Sequence, residues 1–304
     1  MIKSLTSLRG IFILFIFFHH CLNLYPGGGS MAVAFFFILG GFSMTLGYKE
    51  RLLNNGFNYK QYLSRRLIKF YPLHWLCLLA AIPFFLVSFN WLKLPILVSN
   101  AALLQTWVPD QKWYFSLNAV SWYLADTLFL ATVFPFLLKW IVKATDFGKL
   151  LIALSFVLLY VLVAVLIPKD MHHAVLYISP YIRLTDFVYG IYLALIYFRL
   201  KEKPLKWWNS KFVSQLFVFA LIAILVIESC LLTEDARLFA PVYWVPVALV
   251  ILIASLSNIN GGGGAKYFVG KQILMPPWRT KFYHFFDSSI GDTLFFYRFK
   301  NTSF

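Results

Sequence analysis

A series of long apolar stretches, separated by short polar segments, constrains this chain more than any other feature. Eight stretches approach the roughly 20 residues that a helix needs to cross a bilayer. They cover residues 8–25, 31–48, 71–90, 118–141, 149–167, 180–199, 211–232 and 238–256. Because lipid offers no hydrogen-bond partner to an exposed backbone, such stretches must be helical. The sequence therefore predicts an all-α polytopic membrane protein with about eight transmembrane helices.

The charged residues support this class and suggest an orientation. Only 13% of the chain is charged, against about 25% in soluble domains. The net charge of +15 would suggest a nucleic-acid partner in a soluble protein. With a cytoplasmic N-terminus, however, the basic clusters at 49–69, 139–149 and 199–211 all fall in cytoplasmic loops. This positive-inside bias explains the charge without nucleic acid.

One apolar segment, 92–108, is predicted not to cross the membrane. It is short, and Pro95 and Asn100 interrupt it. If it crossed fully, the later basic loops would lie outside the cell and the positive-inside bias would be lost. We therefore expect a re-entrant or interfacial segment here.

The first apolar stretch carries ionisable side chains, which are costly in lipid and often mark function. Arg9 and His20 are eleven residues apart. In a regular helix they would share one face, about 16 Å apart along the axis, with His19 turned about 100° away. The alternative is that Arg9 extends to the membrane surface and that both histidines are interfacial.

Arg65, Arg66 and Lys69 form a basic cluster directly before the third apolar stretch. They fall within about one helical turn. Such cations at a cytoplasmic surface can bind phosphate groups. The alternative is a topology signal that contacts the anionic headgroups of membrane lipids.

Two further stretches carry charged residues inside predicted spans. Trp122 is expected at the membrane interface, and Asp126 lies one turn further into the span. Asp126 could orient a histidine, pair with an arginine or form a structural ion pair between helices. Arg183 and Asp186 are spaced to pair on one helix face. That pair either neutralises itself to allow insertion or lines a polar site for an acceptor.

These residues fall in motifs that resemble the acyltransferase-3 family of integral membrane acyltransferases. The family begins with an arginine, ten residues and a histidine, which matches Arg9 and His20, and a glycine-rich turn and a Gly-Phe pair follow. Further similar segments are Trp122-Tyr123-Leu124, the set Pro180, Arg183, Asp186, Phe187 and Gly190, and Phe268-Val269-Gly270-Lys271. The predicted domains are a membrane acyltransferase-3-like domain at 1–270 and a divergent tail at 271–304 without the family's final helix.

The resemblance implies transfer of an acyl group, most commonly acetyl, from cytoplasmic acyl-CoA to a hydroxyl of an extracytoplasmic acceptor. The acceptor would be a carbohydrate or small molecule, often of the bacterial cell envelope, and the protein would lie in the cytoplasmic membrane. The donor is a substrate, so no bound cofactor is expected. The adjacent histidines His172 and His173, with only Asp170 as a further ligand type nearby, are weak evidence for a metal site, so no metal is expected. Transfer through a separate partner enzyme is left open.

The predicted catalytic residues are His20, Arg9 and Asp126, and the predicted substrate-binding residues are Arg65, Arg66, Trp122 and Arg183. A neutral histidine can act as a base or carry the acyl group, and the sequence leaves both open. Two other functions also stay open. Ionisable residues in spans occur in proton-coupled transporters, and a tail broken by Pro276-Pro277 would fit an inactive family member.

Overall fold

The computed structural model describes residues 2–22, 28–54, 56–87, 90–202 and 211–257. Within these ranges every regular element is helical. The α-helices are α1 Lys3–Phe17, α2 Gly28–Leu53, α3 Tyr59–Leu86, α4 Leu94–Ala101, α5 Gln111–Tyr114, α6 Ser121–Lys143, α7 Asp146–Leu166, α8 Pro180–Glu202, α9 Lys211–Leu231, α10 Glu234–Arg237 and α11 Pro241–Leu256. The predicted tail at 271–304 lies outside the described residues.

Seven helical segments of the described chain are long and apolar enough to cross a membrane. They are α2, α3, α6, α7, α8, most of α9, and α1 extended to Cys21. The predicted all-α polytopic membrane protein is therefore confirmed. The eighth predicted span, 238–256, forms α11 of 16 residues, which is about 24 Å long and shorter than the roughly 30 Å hydrocarbon layer.

Helix α3 begins twelve residues before the predicted span at 71–90. The Asn58 side chain caps it by accepting a hydrogen bond from the Gln61 backbone N–H at 3.0 Å. The basic cluster of Arg65, Arg66 and Lys69 therefore lies on α3 itself. Hydropathy detects only the apolar part of a helix, so a charged first half that projects from the membrane escapes it.

The 92–108 segment folds into short pieces. Its longest helix, α4, has eight residues and a length of about 12 Å, so it does not cross the membrane. Three side chains of α3 hold its end: the Tyr71 hydroxyl donates to the Ala102 carbonyl at 3.0 Å, the Trp75 indole donates to Ala101 at 3.2 Å, and His74 Nε2 lies 2.9 Å from the Asn100 carbonyl.

Helix α2 lies at the centre of the bundle and contacts α1, α6, α8, α9 and α11. Its closest neighbour is α8. A Cβ atom on Gly41 would collide with the Phe187 carbonyl, and one on Gly190 would collide with the Ile38 carbonyl. Only glycine at both positions allows the two backbones to approach so closely.

The outer helices present apolar side chains away from the core. Phe84 of α3 is 81% exposed, Val165 of α7 is 76% exposed and Leu231 of α9 is 80% exposed. Apolar surface of this extent is typical of helices that face lipid. The polar side chains considered below lie instead at helix contacts near α2.

Candidate functional site

The directions of the central helices define two ends of the bundle. Phe37 lies under Arg183 and Gly41 lies against Phe187, so α2 and α8 run parallel. Phe37 also contacts Tyr123 of α6 at 4.9 Å between ring centroids. Helix α6 runs the same way, because Tyr48 and Phe134, further along both helices, are also in contact. We call the end at which α2, α6 and α8 begin the histidine end, and the opposite end the basic end.

Helix α1 runs antiparallel to α2 and brings the predicted histidines to the histidine end. Phe12 stacks on Phe35 with centroids 3.7 Å apart. Further toward the basic end, Arg9 Nη2 donates a hydrogen bond to Ser43 Oγ at 2.9 Å. Arg9 is half-buried. It therefore faces α2 and does not extend outward to the membrane surface.

Arg9 also lies within electrostatic reach of Lys69 on α3 and Tyr123 on α6. Four helices therefore meet around this guanidinium. A guanidinium held between helices can contribute to binding an anionic group.

The two histidines occupy a π-helical turn, Phe18–Leu22, that follows α1. His19 is half-buried and packs on α2, where a Cβ atom on Gly29 would lie 2.7 Å from its Cδ2. His20 is exposed among the described residues, with its ring 4.9 Å from that of His19. The prediction that Arg9 and His20 share one helix face assumes a regular α-helix, whereas the histidines lie in a π turn that advances by less than 100° per residue. His19 is the imidazole on the α2 side.

The predicted phosphate-binding cluster lies toward the basic end. Arg65 is exposed and Arg66 is half-buried. The Arg66 guanidinium lies over the rings of Tyr62 and Tyr48, at 5.4 Å and 5.9 Å. Lys69 is within electrostatic reach of both Arg66 and Arg9. The basic side chains thus extend from the end of the bundle toward its interior.

Asp126 is fully buried near the start of α6. Neither of its carboxyl oxygens has a hydrogen-bond partner among the described residues. The Thr106 hydroxyl lies beside the carboxyl group without reaching hydrogen-bonding distance and angle, and Arg183 is within electrostatic reach. Asp126 therefore pairs directly with neither a histidine nor an arginine in the part of the chain described here.

Trp122 differs from its expected interfacial position. It is 8% exposed, and its ring lies 5.3 Å from that of Tyr177. The segment before α8 covers this position and removes the tryptophan from the surface. Long-range packing of this kind has no signal in the local sequence.

Arg183 and Asp186 form a fully buried ion pair at 2.8 Å. The Arg183 Nε–H also donates to the Tyr177 carbonyl at 2.7 Å, and the Trp244 indole donates to Asp186 at 2.5 Å. Hydrogen bonds on both partners offset the desolvation of a buried pair. This pair joins α8 to α11 and to the preceding segment, which fits the self-neutralised alternative.

Sequence reasoning gave His173 no role, yet it lies in a polar and aromatic cluster at the histidine end. It begins a second π-helical segment, His173–Ile178. The Tyr114 hydroxyl lies 3.3 Å from its Nδ1. Burial, with a further contribution from Arg183, lowers the pKa of His173 below 6.5. The sequence signal was the His172-His173 pair, but its aromatic neighbours come together only in the fold.

Comparison with known proteins decides the family. The family model described as an acyltransferase domain, that of the acyltransferase-3 family, matches residues 2–268. The chain belongs to the acyltransferase-3 family. A search of curated proteins and a search of solved structures each found no match.

In this acyltransferase-3 protein the two ends of the bundle offer different chemistry. The basic end carries guanidinium and ammonium groups suited to phosphates. The histidine end carries imidazoles, a buried carboxyl group and aromatic rings, which suit proton transfer and the binding of a polar organic molecule. Arg9 lies between the two ends.

Proposed function

We propose that this multi-pass membrane acyltransferase moves an acyl group, most commonly acetyl, from cytoplasmic acyl-CoA to a hydroxyl of an extracytoplasmic acceptor, a cell-envelope carbohydrate. The N-terminus is cytoplasmic and the membrane is the bacterial cytoplasmic membrane. The observation that carries the proposal is the separation of the basic cluster from the imidazoles at opposite ends of one family domain.

The basic end would bind the donor. Acyl-CoA carries several phosphate groups, and Arg65 and Arg66 supply planar guanidinium groups that bind phosphates with two parallel hydrogen bonds. Arg66 is already oriented over Tyr62 at 5.4 Å. Lys69 and Arg9 continue the positive charge inward, along the direction that the acyl-bearing arm of the donor would take.

The chemistry needs a base at the meeting point of donor and acceptor. In the proposed reaction, the His20 imidazole removes the proton of the acceptor hydroxyl while the hydroxyl oxygen bonds to the thioester carbonyl carbon. The carbon–sulfur bond then breaks, and the CoA thiolate leaves and takes up the proton from the imidazolium. In the alternative, the imidazole nitrogen bonds to the carbonyl carbon, the carbon–sulfur bond breaks, and the thiolate leaves with the imidazole proton. The acceptor hydroxyl then takes the acyl group, and the freed imidazole takes the hydroxyl proton. His19, 4.9 Å from His20 between ring centroids, is the nearest second imidazole.

The other predicted residues take supporting roles in this proposal. Arg9 stabilises negative charge on the thioester oxygen or the thiolate. Asp126 would supply a buried polar group at the histidine end. Arg183 would act through the Tyr177 backbone, and Trp122 through the Tyr177 ring, as positioning residues for the acceptor.

The test is turnover of radiolabelled acetyl-CoA by the full chain in liposomes, with a cell-envelope glycan fraction as acceptor. We expect His20→Ala to lower turnover by about 10²- to 10⁴-fold, the usual contribution of a general base. His19→Ala measures the neighbouring imidazole in the same turn. His172→Gln is the comparison at a histidine outside the first helix: its Nε2 lies 3.2 Å from the Ile167 carbonyl and its ring packs on Phe239 at 5.6 Å. Unchanged turnover in His20→Ala would contradict the assignment of this histidine.

A second assay tests the donor site. We expect Arg65→Ala and Arg66→Ala each to raise the KM for acetyl-CoA about tenfold, as loss of a charge-assisted hydrogen bond predicts. Lys112→Ala, an exposed cation near the histidine end, is the control and should leave this KM unchanged. Equal effects in all three variants would show that bulk charge, and no defined phosphate site, sets the affinity.

One observation supports a second candidate function. The buried Asp126, without a hydrogen-bond partner in the described chain, is the kind of group that proton-coupled transporters use. Proton-gradient-dependent uptake of a solute into the liposomes, without acyl transfer, would favour that function. A folded protein with neither activity would fit an inactive family member.

A further inference from the structure

Five aromatic side chains form a continuous row at the histidine end. Trp122 and Tyr177 have ring centroids 5.3 Å apart, and Tyr177 and His173 are also 5.3 Å apart. His173 then contacts Phe115 at 5.7 Å and Tyr114 at 6.0 Å. The row joins three elements that are distant in sequence: α6, the π-helical segment before α8, and the end of α5.

The middle of this row is accessible, whereas its ends are buried. Trp122 and Tyr114 are 8% and 3% exposed. His173, Tyr177 and Phe115 are half-buried. A partly exposed row of rings on a buried aromatic base is the usual lining of a small-molecule site.

His173 adds a polar group of defined orientation. The Tyr114 O–H can donate to Nδ1 at 3.3 Å, which leaves the proton of a neutral imidazole on Nε2. Among the described residues, Nε2 has no hydrogen-bond partner. The groups that face this ring are the hydroxyls of Tyr114 and Tyr177 and the guanidinium of Arg183. Burial and this cation lower the pKa of His173, which favours the neutral imidazole. In the tautomer that accepts from Tyr114 at Nδ1, Nε2–H is a hydrogen-bond donor.

The row also adjoins the predicted catalytic turn. Tyr177 lies beside the Ser30 side chain near the start of α2. The His19 ring packs against the neighbouring residue Gly29. One side of the aromatic row therefore reaches the first turn of α2, on which the His19 imidazole packs.

We propose that His173, with the half-buried rings of Phe115 and Tyr177, is a binding subsite for a sugar ring of the acceptor. A sugar ring has apolar C–H faces and a rim of hydroxyl groups. The aromatic faces would cover the apolar side, and the imidazole would hydrogen-bond a rim hydroxyl. The inference rests on the proposed function, because it places this end outside the cell and takes the acceptor to be a carbohydrate.

The direct test is ligand-observed NMR of methyl glycosides of glucose, galactose, mannose, rhamnose and N-acetylglucosamine with the full chain in nanodiscs. We expect saturation transfer from wild type to at least one glycoside. We expect the signal to fall at least about fivefold in His173→Ala and Phe115→Ala, since a lost partner leaves a polar group unpaired. His172→Gln should bind as wild type does, because His172 packs on Phe239 and bonds to the Ile167 carbonyl, away from the aromatic row.

The kinetic test uses the glycan fraction and radiolabelled acetyl-CoA. We expect His173→Ala to raise the KM for glycan about tenfold and to leave the KM for acetyl-CoA unchanged. Wild-type transfer with an unaltered glycan KM in the variant would overturn this subsite and leave the proposed function standing. Glycoside binding that depends on His173, without any acyl transfer, would overturn the proposed function and leave the subsite standing. If wild type binds no glycoside, the subsite is also overturned.

Discussion

Gly41 and Gly190 make reciprocal contacts, each against a backbone carbonyl of the opposite helix. Gly41 lies on the Phe187 carbonyl of α8, and Gly190 lies on the Ile38 carbonyl of α2. This crossing also sets the position of Arg183, which lies one helical turn before Phe187 on α8. Its guanidinium lies over the Phe37 ring of α2. The close approach of α2 and α8 therefore fixes the position of Arg183 relative to α2.

Replacing either glycine should separate these helices. We expect Gly190→Ala to lower stability by about 1–3 kcal/mol or more, because its Cβ would overlap backbone atoms that cannot rotate away. The melting temperature in detergent measures this. Gly47→Ala is the matched control on α2, since a Cβ there meets nothing within 4 Å. It should be neutral or stabilising by up to about 1 kcal/mol. Equal melting temperatures for both variants would contradict the close crossing.

Removal of the Asp186 carboxylate should be among the most damaging polar substitutions. Asp186→Ala leaves Arg183 buried without its ion pair and Trp244 without its acceptor. Loss of one partner from a buried pair costs about 3–5 kcal/mol. Thermal unfolding in detergent should show a drop of several degrees.

The matched control for that substitution is Asp146→Ala. Asp146 also forms ion pairs, with Lys149 and Arg199 at 3.0 Å and 2.8 Å, but its side chain is exposed. Solvent screens such pairs, so the melting temperature of Asp146→Ala should stay close to that of wild type. A loss as large as that of Asp186→Ala would mean that burial does not decide the effect.

Asp126 should behave in the opposite way to Asp186. Its carboxyl oxygens are buried without hydrogen-bond partners in the described chain, so its retention costs stability. We expect Asp126→Asn to keep or raise the melting temperature while lowering acyl transfer, the pattern of a group kept for function. Parallel melting and turnover measurements check this. A large loss of stability would instead indicate a structural ion pair.

The low pKa of His173 predicts how stability depends on pH. Because burial favours its neutral form, the unfolded chain binds the proton more readily than the folded chain. Stability should therefore be constant well above pH 6.5 and fall as the pH drops below 6.5. The difference in melting temperature between wild type and His173→Gln, measured from about pH 8 to pH 5, isolates this contribution. Only wild type loses stability on acidification, so the melting temperature of wild type minus that of His173→Gln should decrease as the pH falls below 6.5. A difference that increases as the pH falls would have the wrong sign.

The sequence predicted the fold class and most spans correctly, because lipid requires long apolar helices and these leave a strong compositional signal. It also placed the ion pair of Arg183 and Asp186, since a spacing of three residues suffices for contact on a helix. The start of α3 at Tyr59 was missed. Its first turns carry charge, and a hydropathy window registers them as loop.

The site was less predictable, because its geometry depends on contacts between distant segments. The grouping of His173 with Tyr114 and Phe115 requires the end of α5 and the segment before α8 to meet. The orientation of His19 and His20 depends on a π turn, for which no sequence pattern was available. Helical arithmetic assumes a regular helix and fails where the hydrogen-bond register changes.

Because of the π turn at Phe18–Leu22, the directions of the two histidine side chains do not depend on those of the side chains in α1. In a regular helix, every residue beyond an inserted one would rotate by about 100°. A π turn absorbs one additional residue, so Arg9 can keep its bond to Ser43 whichever imidazole faces α2. A deletion of one residue here would restore the α-helical register and turn the two histidines while the guanidinium stayed in place. The first helix thus allows the histidine pair to be repositioned without disturbing Arg9.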